Sequence, residues 1–382
     1  MRHLIGLGRL ALVLVSLLPL GCSSGVEEAP ENVDSAQQPL LQNPGPAYTT
    51  AAEFGWCGAG SALVPTGPCH PGFSFNSAAG AITAMRINVG VYGVHFAGLT
   101  HGGNAQVVAQ GSNAHCAITQ VAPQNGGEFM QIACRAPSGV LVDTRYMVSY
   151  YRDTNISGVL GAYALVRNTS PLSVVDTWNS TGSPVSVSSS GGGSYRVVFP
   201  GQVLGADTVQ VTAVTGSNVY CKAANWSSVG SGVAVDVRCF NFNGSPQNSD
   251  FSISYSRNLR GEVRNTLPTG TQGGYSVVTS TGVVNPSFSK NTCPTGNNTV
   301  FQSGVGTYVD RIAGLGATLA ERPALGLVTA LGWDNNYCNL TSVPFHQLQA
   351  PSIVQVSCFS AAGQPANTQH IVMFELQDIG GC

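Results

Sequence analysis

Four of the seven histidines in the chain lie close together in sequence, at His70, His95, His101 and His115. Imidazole exchanges protons near neutral pH and binds transition metals, so these residues, with Asp143, could form an acid–base site or a metal site. The alternative is a set of separate surface and loop histidines. The sequence contains no HExxH motif, and we predict that the protein binds no metal and no cofactor.

Paired carboxylates are the chemistry of glycosidases, and the chain has 18 acidic residues from which a pair could come. They are sparse, and Asp143 and Asp250, which recur in one predicted turn, are explained more simply as caps of backbone N–H groups. The sequence also lacks a nucleophile elbow, a P-loop and a dinucleotide-binding glycine motif. We therefore predict that the protein is not an enzyme; a hydrolase site assembled between domains is the least favoured alternative.

Eleven cysteines carry the strongest pattern in the chain. Three pairs have nearly the same spacing, 18 residues in the first two and 20 in the third. Cysteines of a secreted chain form disulfides, whereas metal ligation would need CxxC-like clusters, which the sequence lacks. Each disulfide would close a short loop and contribute roughly 3 kcal/mol. The predicted pairs are Cys116–Cys134, Cys221–Cys239, Cys338–Cys358, Cys57–Cys69 and, by elimination, Cys293–Cys382.

Strands must position these cysteines, because apolar and polar residues alternate around them. The clearest stretch is 193–255, and residues 90–151 and 306–375 repeat its plan. In the strand that ends at Cys239, the cysteine shares its face with three valines while Asp236 and Arg238 point the other way. The second cysteine of each pair is therefore expected to face a core.

Three tandem units follow from this repetition, each of about 100 residues and about seven strands, which is typical of a β-sandwich. The predicted fold is all-β, with three disulfide-stapled β-sandwich units of immunoglobulin-like or jelly-roll-like type. The predicted units are residues 49–155, 156–260 and 261–382. The joints between them are short, which favours a stiff rod or a compact trio over separate beads.

Alignment of the three units brings equivalent residues together. Tyr92, Tyr195 and Tyr308 recur at one strand position and are predicted to be core or corner residues. His115 lies where the other units have tyrosine, so the repeat itself needs no histidine there. In the third unit Asp310 interrupts the strand alternation.

The repeated pattern resembles tandem repeats found in uncharacterised secreted bacterial proteins. The matching residues are 90–96 with Gly98 and Leu99, 193–199 with Pro200 and Gly201, and 306–312 with Gly314 and Leu315. The resemblance covers most of residues 50–378. It implies the number of units and secretion, and it implies no catalytic activity.

The first 21 residues are predicted to be a signal peptide, because a positively charged start precedes an apolar run too short to span a bilayer. The run ends in a small residue followed by Cys22, which resembles the bacterial lipobox, so Cys22 is expected to carry a lipid. The ten other cysteines are then an even number. Residues 22–48 are predicted to be a disordered tether. Ser23, by resemblance to lipoprotein sorting, favours the outer membrane, facing the periplasm or the outside.

Composition narrows the choice of partners. Charged residues make up only 9% of the chain, and without the leader 14 basic and 18 acidic residues give a net charge of −4. No basic patch stands out, which argues against a nucleic-acid partner. Four tryptophans could stack on sugar rings, and Trp226 falls on the strand face opposite Cys221, where exposure is expected.

The functional prediction is a lipid-anchored bacterial surface protein that acts as a structural or interaction module, with the membrane as a partner through its lipid and an envelope protein as a further partner. The alternative is a lectin-like binder of extracellular polysaccharide that uses Trp226 and Trp333. A binder would cluster its tryptophans at one end of a unit, whereas a structural module would bury or scatter them.

Overall fold

The computed structural model describes residues 53–58, 66–68, 74–153, 160–257, 271–291, 296–313, 324–342 and 352–377, which belong to one compact unit. The alternating residues of these segments form β-strands throughout, and the described residues contain no helix. In this part of the chain no helix therefore exists that could cross a membrane. The predicted all-β class is confirmed.

Three successive groups of strands have the same plan. The first group is β1 (Glu53–Gly58), β2 (Thr66–Pro68), β3 (Ser74–Asn76), β4 (Ile82–Asn88), β5 (Val91–Ala97), β6 (Asn104–Gln110), β7 (His115–Gln124), β8 (Gly127–Arg135) and β9 (Arg145–Arg152). The second group is β10 (Leu160–Arg167), β11 (Ser173–Asn179), β12 (Ser186–Gly191), β13 (Ser194–Pro200), β14 (Asp207–Ala213), β15 (Val219–Val229), β16 (Gly232–Asn241) and β17 (Phe251–Arg257). The third group is β18 (Thr271–Val278), β19 (Lys290–Asn291), β20 (Thr299–Gly304), β21 (Thr307–Ile312), β22 (Ala324–Leu331), β23 (Tyr337–Ser342), β24 (Ser352–Phe359) and β25 (Gln369–Gln377).

Each group, called a repeat below, folds into two layers. The layer that carries the cysteine pair, called the disulfide sheet, has the order β2-β4-β5-β8-β7 in the first repeat, β12-β13-β16-β15 in the second and β20-β21-β24-β23 in the third. The other layer, called the central sheet, has the orders β3-β1-β9-β6, β11-β10-β17-β14 and β19-β18-β25-β22. An apolar cluster fills the space between the two layers of each repeat.

The boundaries predicted between units fall in segments 154–159 and 258–270, outside the described residues, so they remain predictions. The leading strand of each repeat pairs within its own repeat. β1 pairs with β9, β10 with β17, and β18 with β25.

The predicted disulfides of the three repeats are present: Cys116–Cys134, Cys221–Cys239 and Cys338–Cys358. Each joins directly opposed residues of a hairpin with a Cα–Cα distance of 4.0 Å, so each bond lies within one sheet and does not bridge the sandwich. The second cysteine of every pair is fully buried, as the alternation predicted. Cys57 is also disulfide-bonded, whereas Cys69, Cys293, Cys382 and the predicted lipid site Cys22 lie outside the described residues.

Tyr92, Tyr195 and Tyr308 are buried corner residues, as predicted. Their hydroxyl groups accept hydrogen bonds from the backbone N–H groups of Thr144, Ser249 and Thr368 at 2.9, 2.9 and 3.1 Å, in that order. A buried hydroxyl needs a partner, and the same partner recurs in each repeat.

The residue before each of these N–H donors caps the opposite turn. Asp143, Asn248 and Asn367 accept hydrogen bonds from the N–H groups of Gly90, Gly193 and Gly306 at 2.9, 2.7 and 2.8 Å. The glycines have φ angles of 63°, 66° and 66°, and a Cβ atom there would meet backbone within 2.7 Å. Asp143 and Asp250, predicted to recur in one turn, occupy different positions in it: Asn248 is the equivalent of Asp143, whereas Asp250 accepts a hydrogen bond from Asn168 N–H and pairs with Arg167.

The three repeats close into a ring through backbone pairing. Thr215 N–H donates to Ile118 O (2.7 Å) from the second repeat to the first, Gly332 N–H donates to Ala223 O (3.1 Å) from the third to the second, and Gly111 N–H donates to Leu340 O (2.8 Å) from the first to the third. Each contact joins parallel neighbours: β7 to the end of β14, β15 to β22, and β23 to β6. The arrangement has pseudo-threefold symmetry, with the disulfide sheet of one repeat continuing into the central sheet of the next.

Strands β6, β14 and β22 meet at the centre of this ring. Thr212 Oγ1 donates to Gln106 Oε1 and Thr329 Oγ1 donates to Gln210 Oε1, both at 2.8 Å. At the third equivalent contact the polar pair is replaced by Val108 and Leu327, which belong to one apolar cluster. Two joints are thus hydrogen-bonded at the centre and the third is apolar.

Candidate functional site

One end of the ring, called the apex, is formed by His115, Tyr220 and Tyr337. These are the first or second residues of β7, β15 and β23, directly before the first cysteine of each pair. Their ring centroids lie 5.3 to 5.8 Å from one another, so the three rings form a triangle with one side chain from each repeat. Three strands that begin at equivalent places around an axis bring these residues together.

An asparagine two residues before each ring completes the apex. His115 Nε2 lies 2.7 Å from Asn218 Oδ1, the Tyr220 hydroxyl donates to Asn335 O, and the Tyr337 hydroxyl donates to Asn113 O at 2.5 Å. Every contact runs from one repeat to the next around the ring. The apex therefore contributes one side-chain hydrogen bond to each of the three joints.

His115 differs electrostatically from the two tyrosines. Burial lowers the pKa of its imidazole to about 4; the charge of Arg135 lowers this pKa further, and the hydrogen bond that His115 donates to Asn218 raises it. Because Asn218 Oδ1 can only accept, His115 Nε2 carries the proton and Nδ1 is the unprotonated nitrogen. Nδ1 has no hydrogen-bond partner among the described residues.

A buried cation lies beside the apex. Lys222, in β15, is almost fully buried, and its Nζ lies 2.5 Å from Asp334 Oδ1 and 3.2 Å from Asp334 O. Burial lowers the pKa of Lys222 and the charge of Asp334 opposes this. The pair joins the second repeat to the third.

Trp333 precedes Asp334 in sequence and is exposed, with 58% of its surface accessible, unlike Trp178 and Trp226. The Arg238 guanidinium of the second repeat lies 5.9 Å from the centroid of its ring. A cation over one side of an indole ring leaves the other side free for a ligand. Trp333 is thus a candidate binding residue at the joint of two repeats.

Trp226 does not share that exposure, and the expectation that it faces away from Cys221 is wrong. A β-bulge between Ala223 and Asn225 shifts the alternation of β15 by one residue, which returns Trp226 to the core face. Its side chain is 8% exposed and packs edge-to-face on Phe288 with 5.5 Å between ring centroids. Trp178 is also buried, stacked on Tyr163.

The histidines of the first repeat are held by different partners. His95 contacts the carbonyl oxygen of Gln124, and His101 contacts the buried carboxylate of Glu128 at 3.1 Å. His115 belongs to the apex, and His70 lies outside the described residues. Asp143 pairs with Arg86 at 2.8 Å, and this partner, through its hydrogen bond, holds the pKa of Asp143 at about 2. His95, His101 and His115 therefore do not form a joint site with Asp143, which agrees with the alternative prediction of separate histidines.

A buried contact between a histidine and an aspartate in the third repeat was not predicted. His370 Nε2 lies 3.2 Å from Asp310 Oδ2, and both side chains are fully buried between the two sheets. The signal was present, because Asp310 interrupts the alternation of its strand. The pair lies beside the Cys338–Cys358 disulfide.

No family model, no curated protein and no solved structure matches this chain.

Proposed function

We propose that the protein is a lipid-anchored bacterial surface protein that acts as a non-enzymatic interaction module. Cys22 would carry the lipid, residues 22–48 would form the tether, and the ring of three repeats would be displayed at the outer membrane. The observation that carries the proposal is the closed ring itself. It is built from backbone joints and buried side chains, and it presents Trp333 in a fixed position at a joint.

Two measurements test the anchoring. Cells that produce the full chain are labelled with a radioactive fatty acid, and label is expected on the wild type and not on Cys22→Ser. The protein should sediment with outer-membrane vesicles, and Cys22→Ser should appear in the soluble fraction. Label on both proteins, or on neither, would refute the lipid anchor.

Lectin-like binding of an extracellular polysaccharide is the second candidate, and the exposure of Trp333 favours it. Aromatic faces bind the apolar faces of sugar rings, and the amide and carboxylate side chains of Asn335 and Asp334 nearby can accept or donate hydrogen bonds to hydroxyl groups. The Trp333 ring is exposed and lies against the Arg238 guanidinium, which is a suitable arrangement for stacking on a sugar ring.

Residues 47–382 with intact disulfides are titrated with peptidoglycan and exopolysaccharides while tryptophan fluorescence is recorded. A saturable change that is lost in Trp333→Ala and kept in Trp226→Phe would place polysaccharide binding first. Trp226→Phe is the matched control because it changes a buried tryptophan of the same chain. A change that persists in Trp333→Ala would refute Trp333 as the contact, and no change with any glycan would favour an envelope-protein partner.

A further inference from the structure

The third repeat brings three soft or borderline metal ligands together in its core. Cys338 in β23, Cys358 in β24 and His370 in β25 have donor atoms that all lie within 4.8 Å of one another. All three side chains are buried. The cysteines come from the disulfide sheet and the histidine from the central sheet, so the cluster spans the sandwich.

Asp310 adds a carboxylate to this cluster. Its Oδ2 contacts His370 Nε2 at 3.2 Å, whereas its buried Oδ1 has no hydrogen-bond partner among the described residues. A buried carboxylate with one free oxygen is costly and calls for an explanation. His370 Nδ1 contacts the carbonyl oxygen of Thr368 at 3.3 Å, a long contact that a metal ion would have to displace in order to bind this nitrogen while Nε2 stays on Asp310.

The fold does not need this pair. At the position of Asp310 the first two repeats have Val94 and Val197, and at the position of His370 they have Tyr146 and Phe251. The aromatic contact with the corner tyrosine is kept in all three, at 4.9, 5.0 and 4.7 Å between ring centroids. Valine with tyrosine or phenylalanine thus satisfies the packing at these positions, so packing alone does not explain the aspartate and histidine of the third repeat.

We propose that reduction of the Cys338–Cys358 disulfide converts this cluster into a zinc site. A dithiol reductant would be oxidised to its own disulfide while Cys338 and Cys358 become two thiols. Zn²⁺ then displaces one proton from each thiol and binds two thiolates and the neutral imidazole of His370. Asp310 orients the imidazole through Nε2, the arrangement that a carboxylate has behind a zinc-bound histidine.

Two matched sites exist in the same chain. Cys116–Cys134 and Cys221–Cys239 have the same hairpin geometry as the third pair, with Cα–Cα distances of 4.0 Å. Among the described residues, neither of these two pairs lies close enough to a histidine or carboxylate to form a group of metal ligands. The third pair does so with His370. Reduction of these two pairs should therefore create thiols without a matching imidazole.

Co²⁺ reports on such a site because thiolate ligation produces a charge-transfer absorption in the near ultraviolet. Residues 47–382 are reduced with a phosphine and titrated with Co²⁺ and then Zn²⁺. The reduced wild type should bind one Co²⁺ that Zn²⁺ displaces, and the oxidised protein should bind none. Asp310→Asn should weaken binding by about 10- to 100-fold, as loss of an orienting partner does at other zinc sites.

The decisive variant is Asp310→Val with His370→Phe, which reproduces the second repeat and is expected to fold. It should lose the Co²⁺ signal, and Cys221→Ser with Cys239→Ser should keep it. An equal signal in the Val/Phe variant would overturn the proposal, and so would the absence of a signal in the reduced wild type. If reduction merely unfolds the chain, the signal would not depend on residues 310 and 370, which also overturns it.

Discussion

His115 Nε2 lies 2.7 Å from Asn218 Oδ1, and this contact joins the first repeat to the second at the apex. The pKa of His115 is lowered to about 4 by burial. The unfolded chain therefore binds more protons than the folded protein between about pH 4 and 6.5, and stability falls as the pH decreases through this window. The loss is on the order of 3 kcal/mol once the pH is below 4.

His115→Tyr tests this dependence, because tyrosine is the residue at the other two corners of the apex. Urea denaturation of wild type and variant at pH 7 and pH 4.5 gives the comparison. The free energy of unfolding of the wild type should fall more between pH 7 and pH 4.5 than that of the variant. A difference that is the same at both pH values would contradict the assignment of the proton uptake to His115.

Asp207 should produce the opposite pH dependence. This residue is buried at the start of β14, its Oδ2 accepts a hydrogen bond from Gly205 N–H at 2.8 Å, and burial raises its pKa to about 6. The folded protein binds the extra proton between about pH 3.8 and 6, so the contribution of Asp207 is present at low pH and is lost as the pH rises. Asp207→Asn should be more stable than the wild type by roughly 1–3 kcal/mol at pH 7 and gain little at pH 3.5. Calorimetric unfolding at both pH values measures this, and an equal gain at both would refute it.

Replacing both Thr212 and Gln106, which form the central hydrogen bond, should cost less stability than replacing Thr212 alone. Thr212→Val leaves the buried Gln106 carbonyl without its donor and should cost about 1–3 kcal/mol. Thr212→Val combined with Gln106→Leu reproduces the apolar contact of Val108 with Leu327 and should cost less than Thr212→Val alone. Denaturant titration of the full mutant cycle measures the coupling, and purely additive costs would show that the two sites are independent.

Lys222 and Asp334 should contribute to the joint between the second and third repeats. Asp334→Ala leaves a buried ammonium group without its carboxylate and should destabilise the protein by roughly 1–3 kcal/mol, less than a fully buried pair because Asp334 is 49% exposed. Lys222→Met removes the charge that needs a partner and should cost less. Unfolding midpoints of the two variants give the test. Because methionine keeps most of the aliphatic stem, a larger loss for Lys222→Met would contradict this order and would mean that the ammonium group stabilises the joint by more than its burial costs.

Local patterns predicted the all-β class and three of the disulfides. Alternation in the strand that ends at Cys239 predicted both a strand and the buried side of it, because strand periodicity is a property of neighbouring residues. Cysteine spacing predicted three disulfides for the same reason. The predicted exposure of Trp226 failed because a β-bulge precedes it: one extra residue reverses the side of the strand on which every later residue lies.

The joints could not be predicted in the same way. The pairing of Ala223 with Leu331 connects residues far apart in sequence by a single parallel bridge, which leaves no periodic pattern. The apex likewise depends on three residue positions that become neighbours only after the ring closes. Lys222 is a sequence signal of such a joint, because it lies among buried, mostly apolar residues at the start of β15, where a charge requires a partner from elsewhere.

Closure of the ring by Gly111 N–H and Leu340 O has a consequence for how such a chain can change length. A linear array of repeats can grow at its ends, provided that special terminal units cover the exposed faces. Here every repeat already uses both of its joining edges, so an inserted fourth copy would have to open an existing joint. Loss of one copy would leave two unpaired edges, which invite aggregation. The closed ring therefore fixes the number of repeats at three. Insertions compatible with this fold should lie in loops and should not add a whole repeat.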